Sequence, residues 1–163
     1  LISLGKAALE LAADDILVSR KLEGVKMQDV ISSHVESYKE HYSKIAPLAE
    51  TIESDMRDKL KKKFNEFSDI KLDEPRFLQE IVYYLEKLDV DEEINRIQSH
   101  LSKLDKLISS TGEVGRQIDF LVQELNRETN TIGSKSSKEE VSNNVVQMKV
   151  QLEKIREQGL NLE

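Results

Sequence analysis

The chain has 163 residues, 34% of them charged, with no cysteine and no tryptophan. A chain of this length buries roughly 70% of its unfolded surface. The lack of cysteine excludes disulfides and thiolate metal sites and suits a cytoplasmic location, while no stretch has the apolar length of a membrane span and no signal peptide is visible. The net charge of −7 argues against a broad passive nucleic-acid face, because phosphate contacts need cations; it argues less against a nuclease that gathers carboxylates around a metal.

Two prolines and six glycines leave long uninterrupted segments, and β-branched residues do not alternate in runs. The expected fold is therefore all-α: long antiparallel helices forming a bundle, with an extended helical arm. Residues 1–22 read as a first helix with Leu4, Ala8, Leu11 and Val18 on one seam, interrupted by Asp15, and with Gly24 as its stop. Residues 26–46 read as the next, through Val30, Ile31, Val35, Tyr38, Tyr42 and Ile45. Pro47 removes a donor and predicts a kink or short break. The stripe then continues through Leu48, Ile52, Met56, Leu60, Phe64 and Phe67. Kept straight, these two helices span about 60 Å. The run from Lys59 to Lys63 is either a phosphate contact or a solvated face diluted by Asp55, Asp58 and Glu66. Asp73 is placed to cap a helix whose first turn holds Pro75 and which reaches about Leu88. Residues 1–72 are thus read as an arm and 73–163 as a C-terminal bundle.

The next helix starts near Asp91. Ile94, Ile97, Leu101, Leu104 and Ile108 recur at coiled-coil spacing, and Asp91, Glu92 and Glu93 suit its positive N-terminal end. Glu93, Arg96 and His100 fall on one face. Such a line is compatible with phosphate binding and proton transfer, or with an ordinary hydrophilic flank. Residues 109–115 form the turn into a further helix, whose apolar stripe is Ile118, Leu121, Val122, Leu125 and Ile132. Its polar side is dense in Gln123, Glu124, Asn126, Arg127, Glu128 and Asn130. Glu124 and Glu128 stand four apart and offer oxygen ligands for a divalent cation; Arg127 and Lys135 suit phosphate. Taken alone, the same pattern also fits a solvated face with weak ion pairs. Gly133 is the expected helix stop, and Ser136-x-x-Glu139 or Ser137-x-x-Glu140 a capping box for the last helix, with Val141, Val145, Met148, Leu152 and Ile155 inward. The signature helix then lies in the middle of the last three.

The phrase Gly115-Arg116, Asp119-Phe120, Gln123-Glu124, Asn126-Arg127-Glu128, Asn130-Thr131, Ser134-Lys135 resembles the C-terminal signature of the YicC/YloC family of bacterial endoribonucleases. Asp91-Glu92-Glu93, Arg96 and Ser99-His100-Leu101 resemble the family's preceding helix. Ile155-Arg156-Glu157-Gln158 resembles its last helix, and Arg20 with Glu23-Gly24 its entry into the helical region. Gln117, where the family often has lysine, and the proline-free loop before Gly115 depart from the pattern without touching the acidic cluster. The resemblance covers nearly the whole chain. It implies a metal-dependent endonuclease acting on RNA, a homo-oligomer (a hexamer in the full-length protein), and a larger N-terminal region preceding this chain.

Residue chemistry and resemblance together give the expected site. Glu124, Glu128, His100 and Arg127 are the catalytic candidates. Glu124 and Glu128, with Glu93, are candidate ligands for Mg²⁺ or Mn²⁺. Arg96, Arg116, Lys135 and Asn130 are candidate contacts to RNA phosphate. The 163-residue chain alone is expected to be weak or inactive. The alternative is a helical oligomerisation scaffold or RNA-interaction module without chemistry of its own.

Overall fold

A computed structural model describes residues 2–48, 89–110, 114–136 and 138–160, together with scattered positions between 51 and 83. Every element among the described residues is helical. Helix α1 runs Ile2–Ile45, followed by a 3-10 turn at Ala46–Leu48; α2 is Asp91–Ile108, α3 Gly115–Lys135 and α4 Glu139–Gly159.

The predicted break at Gly24 does not occur, because α1 runs through it. One glycine inside a helix costs about 1 kcal/mol relative to alanine, which a helix of 44 residues absorbs. Proline is different in kind, since it removes a donor and clashes with the turn before it. The break falls there, with α1 ending at Ile45 and Pro47 within the 3-10 turn. The stripe from Ile52 to Phe67, the cap at Asp73 and the domain boundary at residue 72 lie outside the described residues.

Side chains at three- and four-residue spacing build one core. Ile31, Val35, Tyr38 and Ile45 of α1 join Ile97, Leu101 and Leu104 of α2. The whole expected stripe of α3 is buried, as is that of α4 from Val141 to Ile155. Helix α3 packs on both α2 and α4, so the signature helix is central; α1 lies chiefly along α4. The α1–α4 register is fixed by two polar pairs. His34 Nδ1 donates to Gln151 Oε1 and His41 Nδ1 to Asn144 Oδ1, each at 2.9 Å. Seven residues forward on α1 match seven back on α4, so the two run antiparallel with a common face. Before Ile31 the core ends. Leu9, Leu11, Leu17 and Leu22, in the N-terminal half of α1, are each more than 60% exposed.

Gly133 is not the end of α3, which continues to Lys135 and stops where Ser136 turns extended. The physical reason for the glycine is proximity: a Cβ at Gly133 would lie 3.0 Å from Val145 Cγ1 of α4. The expected capping box is also not formed at Ser136. Lys138 is the N-cap of α4 without a side-chain cap bond, and Ser136 Oγ instead accepts from the Lys138 backbone N–H at 3.2 Å. Ser137, the other frame, lies outside the described residues.

Candidate active site

Helices α2 and α3 form an antiparallel hairpin, so residues that advance on one retreat on the other. This sets His100 on α2 opposite Glu124 and Glu128 on α3. One ligand atom from each lies within 4.8 Å of the others. Glu128 is 1% exposed, because it occupies the core-facing position between Leu125 and Ile132. A carboxylate there requires counter-charge and hydrogen bonds. Arg127 supplies them through Nε at 3.2 Å and Nη2 at 2.8 Å from Glu128 Oε1. Arg127 Nη2 also lies 2.9 Å from Glu124 Oε2, bridging the two carboxylates. Arg96 approaches Glu128 from α2 at 3.5 Å and holds Glu92 one turn back on its own helix at 2.5 Å.

Behind Glu128 the core carries a second polar pair. Thr129 donates to the Leu125 carbonyl at 2.6 Å, and Tyr38 donates to Thr129 Oγ1 at 2.8 Å. Burial raises the Tyr38 pKa well above the ordinary tyrosine value, with the neighbouring Tyr42 and Glu128 adding to it. Tyr38 is therefore a neutral donor at any physiological pH. Tyr42 donates to the Ile94 carbonyl at 3.1 Å and ties α1 to α2.

His100 is partly buried and its Nδ1 has no hydrogen-bond partner. Desolvation lowers its pKa below 6.5, and the Lys103 charge lowers it further against the opposing pull of Glu124 and Glu128. The imidazole is therefore neutral near pH 7, able to ligate a metal or accept a proton. Hydrogen bonding to Glu128 raises the Arg127 pKa, with the Glu124 charge adding to it.

The hairpin thus brings Glu124, Glu128, His100, Arg127 and Arg96 together. Four other expected residues stand apart. Glu93 is buried two turns back on α2, where its Oε1 takes Lys135 at 2.7 Å while Lys135 also donates to the Asp89 carbonyl. Lys135 thereby pairs with Glu93 and pins the end of α3 to the start of α2, while Glu93 Oε2 is buried without a hydrogen-bond partner. Asn130 is exposed and donates to Asn126 at 2.9 Å. Arg116 lies two turns along α3, near the hairpin turn, beside Lys103 and Lys106. Asp119 is held on the α4 side by Arg156 at 3.0 Å.

The sequence model of the family described as "Endoribonuclease YicC-like, C-terminal" matches residues 45–163. The chain belongs to the YicC-like endoribonuclease family. It is 41% identical over 161 residues to "Probable endoribonuclease YicC" of Clostridioides difficile (strain 630), a match covering 95% of this chain and 55% of that protein. It is 34% identical over 149 residues to the protein of the same name from Haemophilus influenzae, covering 91% of this chain and 52% of that protein. The chain spans about half the length of these curated relatives. The family match includes the whole α2–α3 hairpin, and with it every residue of the cluster. Among the described residues, no helix is long and apolar enough to cross a membrane.

Proposed function

We propose that this chain is the helical C-terminal part of a divalent-metal-dependent endoribonuclease that cleaves single-stranded RNA. The observation that carries the reading is the convergence of His100, Glu124 and Glu128 from two helices. The donor set fits a divalent cation. Two carboxylates supply hard oxygens, and the nitrogen of His100 favours Mn²⁺ over Mg²⁺, which prefers all-oxygen surroundings. Arg127 already places positive charge between Glu124 and Glu128, and its side chain is 58% exposed, so it is free to turn outward when another cation takes that place. A bound cation would polarise the phosphodiester and offset its charge.

The chain's own groups supply the rest. Arg127 and Arg96 reach the cluster from its exposed side and are placed to hold the non-bridging phosphate oxygens. The attacking oxygen, whether water or the RNA 2′-hydroxyl, would lose its proton to solvent, because a His100 that ligates the cation has no nitrogen lone pair left to accept it. Analysis of the product ends separates the two: a 2′,3′-cyclic phosphate marks the 2′-hydroxyl route. The test of the site itself is titration of the metal-free chain with Mn²⁺, followed by electron paramagnetic resonance of the free ion. The expected result is a site that Glu124→Gln and His100→Gln each weaken at least tenfold. Equal binding in both variants and the unaltered chain would remove the metal role.

The N-terminal half of α1 favours an accompanying reading, self-association. Its apolar side chains from Leu9 to Val25 are more than half exposed, a surface that an isolated helix rarely keeps uncovered. Sedimentation of the full-length protein tests this; a strict monomer at high micromolar concentration would remove it. Self-association without RNA cleavage would favour the scaffold alternative.

A further inference from the structure

Toward the hairpin turn, the groove between α2 and α3 opens into a cavity of about 520 Å³. Lys103 and Lys106 of α2 and Arg116 of α3 contribute cations to its wall, while Phe120 and Leu107 give it an apolar surface. Among the described residues no carboxylate lines it, although the chain carries a net charge of −7. Among the described residues none of the three cations has an ion-pair partner. Phe120 is 61% exposed on a helix whose other large apolar side chains are buried. Three unpaired cations around an exposed aromatic ring suit a ligand that is anionic at one end and flat and apolar at the other.

The cavity lies next along the same hairpin from the candidate active site. Lys103 follows His100 by one turn of α2, and Phe120 precedes Glu124 by one turn of α3. Lys103 is close enough that its charge acts on the His100 imidazole. The far wall, at Leu107 and Gln117, is about 10 Å along the hairpin from His100 and Glu124 at the helical rise per residue. That is the neighbourhood of an adjoining nucleotide.

We propose that this cavity holds a nucleotide of the same RNA strand next to the one at the His100–Glu124–Glu128 cluster, with its base stacked on Phe120 and its phosphate held by Lys103, Lys106 and Arg116. The inference rests on the endoribonuclease reading and adds a basis for strand selectivity. Stacking on an aromatic side chain requires a base freed from its partner and tolerates any sequence, since every base has a π-face. A duplex keeps its bases stacked on one another and cannot use Phe120.

The test is fluorescence anisotropy of 5′-fluorescein hexauridylate in EDTA, with the 163-residue chain. The expected results are a Kd about tenfold weaker for Phe120→Ala and near-native for Phe120→Tyr. Lys103→Gln with Lys106→Gln should flatten the salt dependence by about one to two log units per log unit of salt. The same charge removed at the exposed Lys149 and Lys154 of α4 should leave binding unchanged. Circular dichroism verifies that each variant is folded. Cleavage by full-length proteins in Mn²⁺ is followed in parallel, with Glu124→Gln as the reference for loss of the cluster. Native binding by Phe120→Ala and by the Lys103/Lys106 variant, while Glu124→Gln abolishes cleavage, overturns the nucleotide site and leaves the catalytic reading standing. Unchanged RNA binding with a smaller sedimenting species in Phe120→Ala assigns the cavity to a contact between copies and also overturns it. Absence of both RNA binding and cleavage in the native protein removes the catalytic reading and this inference together.

Discussion

Arg127 closes a fork onto the residue next to it: its Nε and Nη2 lie 3.2 and 2.8 Å from Glu128 Oε1. Neighbours on a helix point about 100° apart, so the contact exists only because Glu128 faces the core while the long arginine folds back over it from outside. Arg96 reaches the same oxygen from α2. The buried carboxylate therefore has two sources of counter-charge, both largely in solvent.

Stability should show this sharing. Arg96→Ala and Arg127→Ala should each lower the melting temperature of the metal-free chain modestly, because the other arginine remains. The double variant should lose more than the sum, since Glu128 is then buried without compensation. In a Glu128→Gln background the excess should vanish. Strict additivity in the Glu128 background would show that the two arginines act independently.

Tyr38 and Thr129 give an ordered pair of effects. Tyr38→Phe removes a donor whose acceptor, Thr129 Oγ1, keeps its own bond to Leu125; the cost should be about 1 kcal/mol. Thr129→Val strands the buried Tyr38 hydroxyl, and the cost should be about 1–3 kcal/mol. Urea denaturation checks the order, which a larger effect of Tyr38→Phe would reverse.

Three helical glycines should respond differently to alanine. Gly24 has nothing within 4 Å of an added Cβ, so Gly24→Ala should stabilise by about 0.5–1 kcal/mol. At Gly159 the added Cβ would meet Ile118 Cγ2 at 2.8 Å, and Gly159→Ala should destabilise by about 1–3 kcal/mol through overpacking. Gly133→Ala lies between, because Val145 must yield slightly. Thermal melts of the three variants check the ranking.

The His100 pKa is lowered in the folded chain from the ordinary 6.5. The unfolded chain therefore binds more protons between that lowered value and 6.5, and stability falls as pH drops through this window. Above it the contribution is complete. In EDTA, His100→Gln should flatten the fall in melting temperature just below pH 6.5, with no change in slope near pH 8. An unaltered profile would show that His100 is as readily protonated in the folded state as in the unfolded one.

Much of this was legible because helical periodicity is a local property. The stripes of α2, α3 and α4 and the chain stop at Pro47 follow from spacing and from the proline ring alone. Gly24 and Gly133 misled for different reasons: Gly24 is simply carried inside a long helix with nothing near it, whereas Gly133 marks a close approach whose neighbour, Val145, is distant in sequence. The pairing of His100 with Glu124 and Glu128 depends on the hairpin register. Glu93 and Lys135 are chemically apt for metal and phosphate, but only the folded chain reveals that they face each other. Glu128 carried a readable signal, since it fills the three-four position between Leu125 and Ile132 where the stripe calls for an apolar side chain. Lys103 and Lys106 had none, being scattered polar-face residues until the hairpin folds, and Phe120 stood out only as part of the signature phrase.

The central claim is that Glu124 and Glu128, with His100, hold a metal that the protein needs to cut RNA. It is tested most directly by cleavage of an end-labelled single-stranded RNA by the full-length protein in Mn²⁺, in EDTA, and in EDTA followed by excess Mn²⁺, beside its Glu124→Gln variant. The account predicts cleavage in Mn²⁺, loss in EDTA, recovery with restored metal, and a rate at least about 100-fold lower in Glu124→Gln, as expected when a metal ligand and its electrostatic stabilisation are removed. Undiminished cleavage in EDTA, or a native rate in Glu124→Gln, would contradict it.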